Sequence, residues 1–167
     1  MTPYQQLCQA LNSANADYST YREQSFNFAL MLAGGFKNFL GAPDGTLRYV
    51  PLNKEDDNST GYTVMGAMHM GEDGFWHLGA VLRLEASGYR PHEVKLQFRF
   101  KRQGEAFKVL PFDDHDGFLV QSEVPDAFLP VYLCIQQAID KYFRSGLTSQ
   151  LERSLPMRTI GFLPNAA

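Results

Sequence analysis

The sequence predicts a two-layer α+β domain, in which an antiparallel β-meander of about five or six strands packs on N-terminal and C-terminal helices. Apolar residues recur with helical spacing near both ends, over about 3–41 and 126–145. Between them, over about 46–122, apolar and polar residues alternate in strand-length segments separated by glycine turns. A length of 167 residues with 44% hydrophobic content suits a single domain with its own core, followed by a tail over 147–167.

The N-terminal region is predicted to form two helices. Thr2 is a good N-cap, and Pro3 suits the first helical position. The polar stretch 12–17 contains poor helix formers and favours a break between the helices. Gly34 and Gly35 then lie inside the second helix, where each costs about 1 kcal/mol relative to alanine. Close packing against another element is the expected reason for this glycine pair.

The stretch "HMGEDGFWH" predicts the first β-hairpin of the meander. A three-residue loop, Glu72-Asp73-Gly74, has glycine at the last position, as the common type I turn with a left-handed residue requires. This loop sets a register in which apolar or small residues face each other on one side and the two histidines face each other on the other. The predicted pairs are Met70 with Trp76, Met68 with Leu78, His69 with His77, Gly66 with Ala80, and Val64 with Leu82.

The next strand, "HEVKLQFRFKR", turns Val94, Leu96, Phe98 and Phe100 to the core face. Pairing opposite charges sets Arg83 against Glu93 and His77 against Arg99. A two-residue turn at Gln103-Gly104 would then set Arg99 against Lys108. One row of side chains is therefore expected across the outer face of the sheet: His69, His77, Arg99 and Lys108.

The outer face is predicted to be the functional surface. A net charge of −3 argues against a polyanion binder on totals alone. Residues 83–102, however, hold six Arg or Lys against two Glu, a local charge of +4. The residues expected to bind an anion are His69, His77, Arg99, Lys108, Lys101 and Lys95. Beside them, an apolar strip is expected to form an interface, and it comprises Met65, Val81, Leu110 and Phe112.

No motif points to catalysis. The sequence lacks GxSxG, P-loop, HExxH and GxGxxG patterns, so it predicts no catalytic residue and no cofactor and leaves open whether the protein is an enzyme. A metal at His69 and His77 would need a third ligand, and the cation expected beside His77 opposes it, so no metal site is predicted. The run "DDHDG", Asp113–Gly117, is composed of ordinary turn residues.

These observations favour a non-enzymatic binding or adaptor domain that uses the outer sheet face, with a protein or a second copy of the chain as partner. Binding of an anionic ligand or single-stranded nucleic acid at the basic row is the alternative. A metal-dependent hydrolase using His69 and His77 is the second alternative. Without a signal-like start or an apolar run approaching 18 residues, we expect a cytoplasmic protein that does not bind a membrane.

Overall fold

A computed structural model describes residues 1–53, 61–113, 115–151 and 162–163. It confirms the α+β fold, with one helix before and one helix after the antiparallel meander in the chain. The elements in chain order are helix α1 Pro3–Leu40, strand β1 Leu47–Tyr49, a short 3-10 helix Met65–Ala67, strands β2 Met68–Met70, β3 Trp76–Leu84, β4 His92–Gln103, β5 Ala106–Leu110 and β6 Phe118–Val120, helix α2 Leu129–Leu151, and strand β7 Phe162–Leu163.

The sheet is built on its two long strands, β3 and β4. The strand order is β1–β3–β4–β5–β6. β2 lies on the same edge of β3 as β1, and β7 pairs with β4 at Lys95 and Leu96, beyond the residues that pair with β5. The two long strands therefore form the centre of the sheet, and short strands pair along the outer edge of each.

The prediction of two N-terminal helices is wrong, because α1 is one helix of 38 residues. Its N-terminus carries the predicted Thr2 cap, completed by Gln5 into a capping box. The polar stretch 12–17 has no glycine or proline, so each residue costs only a few tenths of a kcal/mol, and a helix extending on both sides carries that cost. The helix ends at Gly41, whose left-handed backbone (φ +59°) suits glycine.

The C-terminal helix runs further than predicted. α2 continues past Gly146 to Leu151 and so takes in the start of the segment 147–167 that the sequence assigned to a tail. Apart from β7, the rest of that tail lies outside the described residues, as does the polar stretch 54–60. Within the part of the chain that is described, neither α1 nor α2 is apolar enough over a sufficient length to cross a bilayer.

The core lies between one face of the sheet and the two helices. Phe28 of α1 stacks on Phe107 with ring centroids 4.1 Å apart, and Phe36 meets Phe98 edge-on at 5.5 Å. The predicted core face of the meander is confirmed, since Trp76, Phe98 and Phe100 are all buried. Only the C-terminal half of α1 takes part, because its buried residues begin at Ser25.

The glycine pair in α1 has the predicted role at one of its two positions. A Cβ on Gly35 would overlap the hydroxyl of Tyr132 in α2, whereas a Cβ on Gly34 would meet nothing within 4 Å. The Tyr132 hydroxyl donates a 2.9 Å hydrogen bond to the Leu32 carbonyl, so the two helices are joined at this point by a buried polar contact. Close approach of α1 and α2 therefore depends on Gly35.

Two of the predicted registers are confirmed over the central strands. Met70 pairs with Trp76, Met68 with Leu78 and His69 with His77, and across β3 and β4 Arg83 pairs with Glu93 and His77 with Arg99. The extension to Gly66 and Val64 is wrong, because residues 65–67 leave the sheet as a 3-10 helix and β1 takes their place beside Ala80 and Leu82.

The predicted register between β4 and β5 is wrong by two residues. The turn is Gly104-Glu105, with Gln103 opposite Ala106, and Gly104 adopts a positive φ of +63°. Glycine at the first turn position is characteristic of type II′ hairpins, which match the twist of the strands. As a consequence Arg99 faces Leu110, and Lys108 faces Lys101.

Candidate functional site

The outer face of the sheet, which points away from α1 and α2, carries a polar cluster at the β2–β3 hairpin. His69 and His77 lie opposite each other, and their rings stack with centroids 5.0 Å apart and planes 27° apart. The hairpin loop has the predicted geometry, with Gly71 N–H donating to the Phe75 carbonyl and Gly74 at φ +78°. The turn therefore holds the histidine pair in a defined position.

His77 is held by hydrogen bonds at both ring nitrogens. Its Nε2–H donates to the Asp73 carboxylate at 3.0 and 3.1 Å, and its Nδ1 accepts from the Gln97 amide at 2.6 Å. Because both nitrogens are engaged, His77 is arranged as a structural link between hairpin and sheet. It does not present a free nitrogen to a substrate or a metal.

Arg99 extends this cluster to a second loop. Its guanidinium lies 3.5 Å from Asp73 and 2.8 Å from Asp113, and its side chain is only 16% exposed. The sequence did not reveal the contact with Asp113. That residue follows β5, and the predicted register of β5 against β4 differs from the observed one by two residues. Two carboxylates thus neutralise the charge of Arg99, which was expected to bind an anion.

The surroundings shift two titratable groups in this cluster. Partial burial acts against ionisation of Asp73, but hydrogen bonds from His77 and the Phe75 N–H, with the charges of His77 and Arg99, outweigh it and lower the pKa of the carboxyl. Burial and the neighbouring His77 lower the pKa of His69. His69 Nδ1 is buried and has no hydrogen-bond partner among the described residues. The cluster therefore favours an anionic Asp73 and disfavours protonation of His69.

The predicted row of His69, His77, Arg99 and Lys108 is correct in its first three members and wrong in the fourth. Lys108 lies opposite Lys101, two residue pairs from Arg99 along the strands, and Lys101 lies 5.8 Å over the Phe75 ring. Lys95, the other lysine expected to bind an anion, pairs with Val81 and is half-buried. The outer face thus separates into a neutralised cluster around Arg99 and a pair of lysines beside it.

The predicted apolar strip is not continuous. Val81 is fully buried, and the chain itself shields the adjacent part of β3, where Leu52 lies 2.6 Å from the place a Cβ on Gly79 would take. Met65 is exposed but belongs to the 3-10 helix. Leu110 and Phe112 are half-buried at the other side of the sheet. Among the four residues expected to form an interface, only Leu110 is shown beside the lysine pair, on the same strand as Lys108.

In the stretch "DDHDG", the side chain of His115 contacts residues that follow it. The ring of His115 stacks on Phe118 at 4.8 Å, and its Nδ1 accepts a hydrogen bond from the Gly117 N–H at 2.8 Å. Asp114 lies outside the described residues. Within the described ranges, no three His, Cys, Asp or Glu side chains come together as metal ligands would.

Comparison with known proteins gives no relative. The chain matches no protein-family model, no curated protein and no solved structure. Any functional assignment consequently depends on the geometry of the protein itself.

Proposed function

We propose that the protein is a non-enzymatic binding domain that holds an acidic segment of a partner protein on the outer face of its sheet. The observation that carries this proposal is the Lys101–Lys108 pair, in which two cations lie directly opposite each other on adjacent strands. Like charges in this position destabilise a sheet. A carboxylate from a partner would relieve that repulsion, which gives the surface a specific affinity for acidic groups.

The neighbours of the lysine pair support a protein partner. Leu119 of β6 pairs with Lys108 and is 63% exposed, and Leu110 lies half-buried on the same strand as Lys108. Cations beside exposed apolar surface fit a segment that combines acidic and apolar side chains. Next to them, the charge of Arg99 is neutralised by Asp73 and Asp113. In this proposal the cluster around Arg99 supports the binding surface, and the two lysines bind the acidic groups.

Single-stranded nucleic acid is the second candidate ligand. Phe75 lies beneath Lys101, and this combination of an aromatic ring and a cation is one that single-strand binders use for bases and phosphates. The half-buried position of Phe75 limits the ring area available for stacking. For this reason the protein partner is our first proposal.

The variant Lys108→Glu tests the proposal. It places an opposite charge across from Lys101, so we expect the fold to gain about 0.2–1 kcal/mol while affinity for acidic ligands falls. Lys141→Glu, on the exposed face of α2, makes the same change in net charge and is the matched control. A gain in melting temperature together with a loss of binding would separate function from folding.

Two probes distinguish the candidates. Selection from a displayed library of random peptides should enrich sequences with acidic and apolar residues, and these should lose affinity for Lys108→Glu but not for Lys141→Glu. Titration with a single-stranded homopolymer at low salt tests the second candidate, for which affinity should fall steeply as salt rises. Enriched peptides without acidic residues, or equal binding to both variants, would contradict the first proposal.

A further inference from the structure

The N-terminal half of α1 extends past the core with an apolar stripe on its surface. Every residue from 3 to 20 is exposed except the half-buried Cys8, and the first residue of the helix that packs against the core is Tyr21. Tyr4, Leu7, Leu11 and Tyr18 are 75, 70, 60 and 55% exposed. So many large apolar side chains on one exposed segment indicate a surface that another molecule covers.

The spacing of the stripe indicates that its partner is another helix. Tyr4, Leu11 and Tyr18 are seven residues apart, and Leu7 and Ala14 occupy the intermediate positions of the same repeat. This seven-residue repeat keeps a narrow seam facing a partner helix, as in a coiled coil. The repeat continues in phase into residues that already pack in the protein, and these are Tyr21, Ser25, Phe28 and Leu32.

We propose that residues 3–20 of α1 pair antiparallel with the same residues of a second copy of the chain, with Leu11 near the two-fold axis. Tyr4 and Tyr18 lie seven residues to either side of Leu11, so each tyrosine would meet the other across the interface. A two-fold interface requires this kind of self-complementary pattern. The exposed segment is about 27 Å long at 1.5 Å per residue, and its midpoint lies beside Leu11.

The ends of the segment fit this arrangement. With Leu11 on the axis, Pro3 of one copy lies level with Ser19 of the other, and the exposed part of the helix ends at Thr20. The two stripes therefore cover each other over their full length, and each helix tip stops where the core of the other copy begins. Pairing also supports a segment of 18 residues, which is marginal as an isolated helix in water.

The charge of the segment favours a second copy over other partners. Asp17 is the only Asp, Glu, Lys or Arg in residues 2–20. Two copies consequently bring together surfaces with almost no charge to repel each other. An anionic membrane would be bound by an amphipathic helix rich in Lys and Arg, and this segment contains neither residue type.

Sedimentation equilibrium provides the first test. At concentrations up to about 100 µM, the wild-type chain should show a species of twice the 18.8 kDa chain mass. Leu11→Asp should raise the dimer dissociation constant at least about tenfold, and since Leu11 is exposed in the single chain, its core should remain folded by circular dichroism. Ser13→Asp adds the same charge on the opposite side of the helix and should change the constant by less than about threefold.

Disulfide trapping tests the antiparallel arrangement. With Leu11 on the axis, Cys8 of one copy lies within one residue's rise of Asn15 of the other and on the same side of the seam. In a Cys134→Ser background, Asn15→Cys should therefore give an oxidised dimer linked between positions 8 and 15. Within one helix these positions are about 10 Å apart, too far for a disulfide.

Four results would overturn the inference. These are a wild-type monomer across the concentration series, a dimer equally stable in Leu11→Asp, equal weakening by Ser13→Asp, and a dimer without the 8–15 link. The dimer should also be unaffected by Lys108→Glu, because the outer sheet face is a separate surface. If the proposed peptide binding fails its test, the dimer inference is unaffected. If the dimer inference fails its tests, the proposed peptide binding is unaffected.

Discussion

Replacing Gly35 with alanine should destabilise the contact between α1 and α2. The added Cβ would overlap the hydroxyl of Tyr132, and the next ring atom, Cζ, lies 3.1 Å from it. To make room, the Tyr132 ring must shift from its place and lengthen its 2.9 Å hydrogen bond to the Leu32 carbonyl. Both groups lie in the buried region between the helices, so water cannot readily replace the lost contact.

The expected magnitude follows from three contributions. Overpacking a well-packed site costs about 1–3 kcal/mol, and loss of the hydrogen bond costs about 0.5–1.5 kcal/mol. Alanine in place of glycine within a helix returns about 1 kcal/mol. The net loss in free energy of unfolding is therefore about 2 kcal/mol, within a range of roughly 0.5–3.5 kcal/mol.

Urea denaturation of matched variants measures this effect. Gly34→Ala, one residue away on an open surface, should instead stabilise the protein by about 0.5–1 kcal/mol. In a Tyr132→Phe background, which lacks the hydroxyl, Gly35→Ala should cost about 1–2 kcal/mol less than in the wild type. Equal effects at Gly34 and Gly35, or a full cost that persists without the hydroxyl, would refute the reasoning.

Two further predictions concern the outer face. Because the pKa of His69 is lowered from 6.5, the unfolded chain binds the proton more tightly, so stability should fall as pH drops below 6.5 and level off below the folded-state pKa. His69→Gln should lose this part of the pH dependence in urea titrations, and an unchanged pH profile would disprove the linkage. Asp73→Asn removes the charge that holds His77 and Arg99 and should cost about 1 kcal/mol. Glu72→Gln at the exposed loop should stay within about 0.5 kcal/mol, and equal melting temperatures for the two variants would argue against a structural role for Asp73.

The central hairpin was predictable because its local signals agree. Glycine at position 74 selected the loop type, and alternation placed Trp76 on the core face. The pairing of opposite charges then set the register of the next strand, with Arg83 against Glu93. Each of these signals acts over a few residues, so tertiary packing was not needed to read them.

The second hairpin was not predictable in the same way. A shift of two residues keeps every side chain on its own face, so alternation cannot distinguish the two registers. The backbone of Gly104 made the choice, because its positive φ suits the first position of a type II′ turn. In the observed register Lys108 lies opposite Lys101 and not opposite Arg99. The predicted binding row therefore lacks its fourth member, and the structure has a lysine pair beside it.

The continuity of α1 was hidden by weak local preference. Residues 12–17 favour a break on propensity alone, but helix formation is cooperative and both flanks are helical. The seven-residue repeat from Tyr4 to Leu32 was present in the sequence and gave the better signal. Its meaning became visible only once the structure divided it into a buried half and an exposed half.

By itself, the sequence determined the α+β class, the core face of the meander and the alignment of β2, β3 and β4, because turn chemistry and two-residue alternation act locally. Tertiary structure decided which polar groups meet: Asp113 reaches Arg99, and Gln97 reaches His77. It also decided where α1 leaves the core. Contacts between distant segments depend on how the loops and helices pack together, and no short stretch of sequence encodes that arrangement.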